Sequence, residues 1–487
     1  MQKGWNILTV LFLVLLCDVK PAPAQQIPDP QQEAIRKLQA RMDQMQAQMQ
    51  AQLDQMRSEL NALVRPKVPD TGAIESRPSP PPMAPLSPQQ ELEAAGRATH
   101  DHYTFAEDES DAPRLDNAPL EPAYPGFFYL PGTHTMLRID GFARTDFIVD
   151  PTVTGLADAF VPSSLPFPSL GPNQFAASIR GSRLSADFRT PVGDSGSARA
   201  FIQLDFFGPN GTTAPRLRHF YAQLDNILVG QTFTNFMDPD AFADTLDTQG
   251  ANAAVSVRVP QVRYSFGLGK GWSNYVSIEQ PSTNVSFLID GAPVETLTRA
   301  PDGSYRVRKE WEGGHFQVAS IFRDLSLRLP VGTKSVFGWG VNATGGIAVL
   351  GRDNIVLGLA YGHGISRYVG DAGGLGLDLA PRSQTDLSVR ALPLLATTGS
   401  YQHFWTPVLR SNATFGFVQV QNTAFQPGNT YHNSIYASGN LIWNPLGSLD
   451  VGAEFIYGWV QNKIGETANA PRIQFTGRYR FVNHQER

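Results

Sequence analysis

Cysteine is almost missing from this chain: Cys17 is the only one in 487 residues. It lies in an apolar leader, so everything after it lacks the thiols for disulfides or for cysteine-based metal or redox chemistry. Long apolar runs are missing too. The longest candidate, Ile7–Leu16, is shorter than the roughly 18 residues a spanning helix needs. Charged residues make up only 17%, and a formal net charge of -5 leaves no footprint for nucleic acid. His134, His219, His315, His363, His403 and His432 fall in no HExxH and in no pair at metal-ligand spacing, and no GxSxG occurs. The reading is therefore of a protein that is not an enzyme, with no catalytic residue, metal or cofactor. Gly373–Asp378 resembles one calcium-binding nonapeptide, but such repeats work in tandem, and a single copy reads as a loop.

What is present divides into four stretches. Residues 1–24 read as a secretory signal: Lys3, the apolar run, then Ala22-Pro23-Ala24, with cleavage expected before Gln25. Leu16 is too bulky to precede a lipidated cysteine. Residues 25–64 read as a periplasmic coiled-coil helix. Ile35, Leu38, Met42, Met45, Met49, Leu53, Met56, Leu60 and Leu63 make a heptad stripe with one four-residue stutter. Methionine at core positions specifies the strand number poorly. Residues 65–125 form a Pro-rich spacer, extended and semi-rigid.

From residue 126 to 487 the period becomes two. Leu449, Val451, Ala453, Phe455, Tyr457 and Trp459 share one strand face; Asp450, Gly452 and Glu454 lie opposite. The runs reach ten residues or more, the length of a tilted membrane strand. About sixteen such strands can be counted from Met136, with links alternating short and long. The short links include Asp225-Asn226 and Asn444–Ser448. The long ones include Pro151–Asn173, Thr234–Ala253, Leu325–Thr333 and Gln461–Ala470. The fold class is an all-β transmembrane, antiparallel outer-membrane β-barrel of about sixteen strands, with periplasmic turns, outer loops and an N-terminal α-helical coiled coil. Trp272, Trp339, Trp405, Trp443, Tyr457 and Trp459 suit interfacial girdles. Pro260 sits where the parity of the valines flips, which predicts a β-bulge.

Opposite the apolar faces stand arginines. Arg138, Arg144, Arg183, Arg189, Arg199, Arg258 and Arg263 are expected to line the channel, since an arginine facing lipid costs about 2–4 kcal/mol at the midplane. Arg216 and Arg218 are poorly phased with Phe220, Ala222 and Leu224, and Arg180 has the opposite parity to Arg183. Lysine in the barrel is limited to Lys270, Lys309, Lys334 and Lys463, and guanidinium binds carboxylate as a planar fork. In Phe233–Ala254 the alternation stops, and Asp238, Asp240, Asp244 and Asp247 appear. This is read as a constriction loop folded into the pore, its aspartates facing the arginine wall. The implied partners are outer-membrane lipid and small anionic solutes. A rival sugar-type porin would need a line of lumen aromatics, but Phe142, Phe201 and Tyr436 are scattered. A tether to the cell wall, through contact of the coiled coil with peptidoglycan, is a third reading.

Three stretches carry a family resemblance: PGTHTMLRIDGFARTDF (Pro131 to Phe147), LRHFYAQLDNILVGQTFTNFMD (Leu217 to Asp238) and HFWTPVLRSNATFGFVQVQNT (His403 to Thr423). They resemble DcaP-like outer-membrane porins, and the arm and spacer resemble the same family. The resemblance implies a homotrimer of sixteen-stranded barrels in the outer membrane of a Gram-negative bacterium. It also implies a third loop folded inward and a preference for small anions such as dicarboxylates. Trp, common in that family around the position of Phe233, is absent here, so the particular solute does not carry over.

Overall fold

A strand with one apolar and one polar face is stable in a bilayer only if its backbone edges are paired, and closing the sheet achieves this. The computed structural model describes residues 126–169, 171–192, 196–289, 292–329 and 332–481. The expected signal, coiled coil and spacer lie outside the described residues.

Sixteen antiparallel strands close on themselves: β1 (Met136–Asp150), β2 (Gln174–Ser178 and Arg183–Val192), β3 (Gly196–Asp205), β4 (Arg216–Leu224), β5 (Ile227–Phe233), β6 (Arg258–Gly269), β7 (Trp272–Glu279), β8 (Asp302–Trp311), β9 (Gly314–Leu329), β10 (Gly332–Val349), β11 (Asp353–His363), β12 (Pro393–Thr406), β13 (Leu409–Val420), β14 (Tyr431–Trp443), β15 (Leu449–Asn462) and β16 (Thr467–Arg480). Closure is the pairing of β1 with β16, from Phe142↔Arg480 to Val149↔Ile473.

The alternation sorts the side chains as the bilayer demands. Ile139, Phe147, Phe322, Phe455 and Phe475 are exposed on the outer surface, while their sequence neighbours Asp146, Arg323, Glu454 and Gln474 are buried within. Trp272, Trp311, Trp405 and Trp443 stand exposed beside the tight turns and form the girdle at that end. Trp339, paired with the last residue of β11, and Trp459 lie toward the other.

Three local features depart from simple alternation. The poor phase at Arg216 and Arg218 is a β-bulge. The register of β3 on β4 shifts between Gln203 and Leu204, so Arg218 and His219 are both buried. The conflict between Arg180 and Arg183 is a break in β2 at residues 179–182. No bulge exists at Pro260, correcting the expectation from sequence: β5 pairs with β6 in unbroken register from Ile227↔Tyr264 to Phe233↔Arg258. Val259 points inward in step with Gln261 and Arg263, and the upstream valines belong to the preceding loop. The Pro260 carbonyl accepts from Gln280 N at 2.9 Å, just past the end of β7, so the missing N–H falls where that ladder stops.

Two outer connections expected to be long are tight. β9 and β10 extend to a Leu329↔Gly332 pair, and β15 and β16 reach Gln461↔Thr467. Both hairpins keep pairing beyond where hydrophobic alternation gives out, because backbone hydrogen bonding continues once lipid no longer selects the residues. The remaining outer connections of interest are L1 (151–173), L3 (234–257), L4 (280–301), L6 (364–392) and L7 (421–430).

These loops give the barrel an apolar core of its own. Phe233, Phe236, Met237, Val255, Ile365, Tyr368 and Val369 pack with inward residues of the wall such as Ile321, Ala360 and Val418. Two wall glycines make room: a Cβ on Gly340 would lie 2.8 Å from Ile365 Cγ2, and one on Gly458 would lie 2.6 Å from Phe160 Cε1. L6 is stitched to L3 by Gly370 N to Ala254 O and Asp371 N to Asn252 O, both 2.9 Å, and to L4 by a Val285↔Leu377 bridge.

Candidate functional site

L3 begins where β5 runs out. The Glu279 carboxylate of β7 takes up the loop's first polar groups, accepting from Thr234 Oγ1 at 2.5 Å and from Asn235 N at 2.8 Å. The loop then runs round the inner wall strand by strand. Gln317 on β9 donates to Met237 O at 3.0 Å, and Asn342 on β10 donates to Phe236 O at 2.9 Å. Asn440 on β14 donates to Asp244 O at 2.7 Å. Glu454 on β15 accepts from Leu246 N at 2.7 Å and Asp247 N at 2.8 Å. Gln474 on β16 donates to Leu246 O at 2.8 Å, and Arg144 on β1 donates to the same carbonyl. Side-chain amides and carboxylates of the wall thus satisfy a backbone with no ladder of its own, as burial requires.

The loop aspartates are divided between two tasks. Asp238 accepts from Arg308 at 3.0 Å, Thr344 at 2.7 Å and Asp240 N at 3.2 Å, and also meets His315 at 2.9 Å. Burial alone would raise its pKa, but His315 and Arg308 outweigh that and hold the carboxyl well below the usual range. Asp240 joins the same guanidinium at 2.5 Å. Asp244 accepts from Arg410 Nε at 2.7 Å and Gln402 at 3.0 Å. These three do not face the arginine wall expected from the sequence; they are pinned by Arg308 and Arg410. The reason is electrostatic: a carboxylate taken out of water is costly unless a guanidinium and further donors compensate it, and Arg308 and Arg410 are the cations within reach. Arg308 alternates with apolar Val307 on its strand, and that was the available signal for it.

Asp247 is different. It accepts only backbone N–H groups, from Phe160 at 3.2 Å and Gln249 at 3.3 Å, and its Oδ2 has no hydrogen-bond partner among the described residues. Burial pushes its pKa up to about 6, against the weaker pull of Arg472, those two N–H groups and Arg144.

With L3 held against β7–β10, β12–β16 and β1, the open space lies toward β2–β6. A cavity of about 260 Å³ there has Arg144, Arg183, Arg216, Arg218 and Arg258 on the wall, and Phe242, Asp247 and Gln249 on the loop. A larger one of about 940 Å³ shares Arg183, Arg216 and Arg218 and opens among L1 and the connection after β3. Of the seven arginines read as lining, Arg144, Arg183 and Arg258 border the smaller cavity. Arg138 lies 3.9 Å from Asp140, Arg189 and Arg199 share Asp187 at 2.9 and 3.0 Å, and the buried Arg263 is held by Gln261 and the Phe233 carbonyl. None of these four lines that cavity. Arg216 and Arg218 do, brought there by the bulge in β4.

The wall arginines are held in place by carboxylates, aromatic rings and a histidine. Arg216 and Arg218 share one carboxylate, Asp205, at 2.6 and 3.0 Å. Arg144 pairs with Asp146 at 2.9 Å. The Arg183 guanidinium lies 5.5 Å from the Phe142 ring centre, and Arg258 lies 4.5 Å from that of Phe233. Arg258 Nε donates to His219 Nε2 at 3.3 Å, so that nitrogen is the unprotonated one and Nδ1 faces Thr232 Oγ1 at 2.9 Å. Five guanidinium groups therefore border the space, with the Asp247 carboxylate on the loop side. Among the described residues no group of three His, Cys, Asp or Glu side chains is placed to hold a metal ion.

The family follows from the extent of the match. A model of the porin subfamily matches residues 122–468. The chain belongs to the porin subfamily. Porin Omp2b of Brucella suis biovar 1 is 26% identical over 197 residues, 37% of this chain and 47% of that protein. The same-named porin of Brucella abortus (strain 2308) matches to the same extent. The chain thus spans about half the length of the curated relatives it matches. The outer membrane channel DcaP of Acinetobacter baumannii superposes with a TM-score of 0.65 at 22% identity, covering 73% of this chain and 99% of that one. The shared feature is the closed barrel, and with the family it places this porin in the outer membrane of a Gram-negative bacterium.

Proposed function

We propose that this porin passes small anions by passive, anion-biased diffusion, with dicarboxylates or similar solutes as the substrate class. The observation that carries this reading is the wall of Arg144, Arg183, Arg216, Arg218 and Arg258 beside L3. An anion entering this narrow, low-dielectric passage meets five lining guanidinium groups, while a cation meets their repulsion. Two carboxylates on one solute could engage two forks in sequence. L3 is the constriction in this reading, and the family and the barrel favour a channel over an enzyme.

The domain plan belongs to the same proposal: signal peptide 1–24, coiled coil 25–64, spacer 65–125 and barrel from 126. A homotrimer joined by the coiled coil suits the heptad stripe of residues 35–63 and the cyclic symmetry usual for oligomers. Contact between that coiled coil and peptidoglycan would add an anchoring role.

The purified protein in a planar bilayer under a salt gradient tests the channel. The expected result is steady conductance with a reversal potential on the anion side. A cation-side potential overturns the selectivity, and absence of conductance overturns the channel.

A further inference from the structure

Apart from the arginine-lined space, the outer loops enclose a second cavity of about 590 Å³. It shares no lining residue with the two cavities described above. Its walls come from L1, L4, L6 and L7, with Phe167, Phe287, Leu375, Leu377, Leu379 and Phe425 as the apolar surface. Phe287 and Phe425 meet edge to face at 5.8 Å between centroids, which fixes a planar slot beside them. The apolar cluster of Leu325, Leu327 and Leu329 backs Phe287 and Leu379, so the floor is packed and not a loop fluctuation.

No lining residue carries a charge at neutral pH. Lys463 is turned onto the Ala424 and Gln426 carbonyls, at 3.3 Å for the former. Asp371, behind the wall, accepts from Ser163 N at 2.8 Å and Tyr431 Oη at 3.1 Å. Gln426 is buried, and its Oε1 accepts from Thr423 N at 2.9 Å and Asn422 Nδ2 at 3.4 Å. Those contacts fix Oε1, and Nε2 of this lining residue donates to no described residue. Asn429 and Gln384 add amides at the rim.

We propose that this cavity is a binding site for an uncharged, ring-bearing small molecule with a carbonyl or similar acceptor, held against Phe287 and Phe425 and hydrogen-bonded by Gln426 Nε2. The volume suits one such ligand, and a mostly apolar pocket with one placed donor is the composition that binds it. A carboxylate there would lose its hydration with no cation to replace it. The site is therefore complementary to the arginine wall: it selects what that wall does not.

Crystals of the intact protein soaked separately in 4'-bromoacetophenone and 4-bromobenzoate test this, with bromine located by anomalous scattering. The expected result is a peak beside Phe287 and Phe425 for the ketone and none there for the carboxylate. No ketone peak in this cavity, or equal occupancy by the carboxylate, overturns the proposal. In solution, fluorine NMR titration with 4'-fluoroacetophenone should show about tenfold weaker binding for Gln426→Leu, the loss of one hydrogen bond to a buried donor. Leu375→Trp, which fills the space, should abolish it. Unchanged binding in both variants overturns the assignment, and the wild-type soak decides the matter even where a variant fails to fold.

Discussion

At the scale of single residues, charge in the passage depends on who is paired. Arg216 and Arg218 share the Asp205 carboxylate between them. Arg218→Gln keeps a donor for Gln203 and Asp205 while removing one positive charge. Its expected outcome is a drop of about threefold in the anion-to-cation permeability ratio, the scale set by one unit charge at roughly 8 Å with intermediate screening. Reversal potentials measured for both proteins check it. Asp247 supplies a pH response. Its carboxyl is raised in the folded protein from 3.8 to about 6. The associated stability of the closed loop is therefore fully present below pH 3.8 and lost as pH rises through about 6. On the acid side Asp247 is neutral and the passage more positive. Anion preference should climb as pH falls from 7 to 5, and Asp247→Asn should flatten that rise while resembling the acidic wild type. A slope unaltered by the substitution would assign the response elsewhere.

At the scale of elements, L3 stays in place by charge pairs with two guanidinium groups, one on β8 and one on β13. Removing one partner of such a buried pair costs about 3–5 kcal/mol because the other is left uncompensated. Arg410→Met takes the guanidinium away from Asp244, while Asp450 keeps its pair with Arg478. It is expected to free the middle of L3 and raise single-channel conductance by about twofold, whereas Asp244→Asn, which keeps a hydrogen-bond acceptor, should do so less. Noise analysis of single-channel records measures the difference. The elements also show what was legible in the chain. Strands in lipid were readable because lipid enforces an apolar side chain at every second position, as in Leu449 to Trp459. The outer ends of β9, β10, β15 and β16 were not, because outside the bilayer nothing forces alternation. Pro260 misled because a parity flip between loop valines and strand residues looks the same as a bulge within one strand. The true bulge at Arg218 showed itself as a phase conflict. Pairs two residues apart on one strand face, such as Arg144 with Asp146, were readable; which arginine meets an aspartate of L3 was not, since Asp244 and Arg410 are brought together only by the path of L3 across the barrel.

At the scale of the whole barrel, the interior is divided unequally. L3, L4 and L6 pack apolar residues against the side of β8–β15, and the arginine-lined space hugs β1–β6. A passage displaced to one wall makes solute contact with that wall unavoidable, so selectivity needs no charge elsewhere in the lumen. The chain offers a clean way to map this, because no cysteine follows Cys17. Thr248 borders both arginine-lined cavities, whereas Ala372 is fully buried in L6 on the filled side. With Thr248→Cys, a thiol reagent bearing a sulfonate should react and cut the conductance sharply, and faster than an ammonium reagent of equal size, because the arginine wall concentrates the anion. With Ala372→Cys the current should stay unchanged over the same exposure. Equal rates for the two reagents at Thr248 would mean that the wall does not bias ions, and block at Ala372 would mean that solutes pass through the filled half.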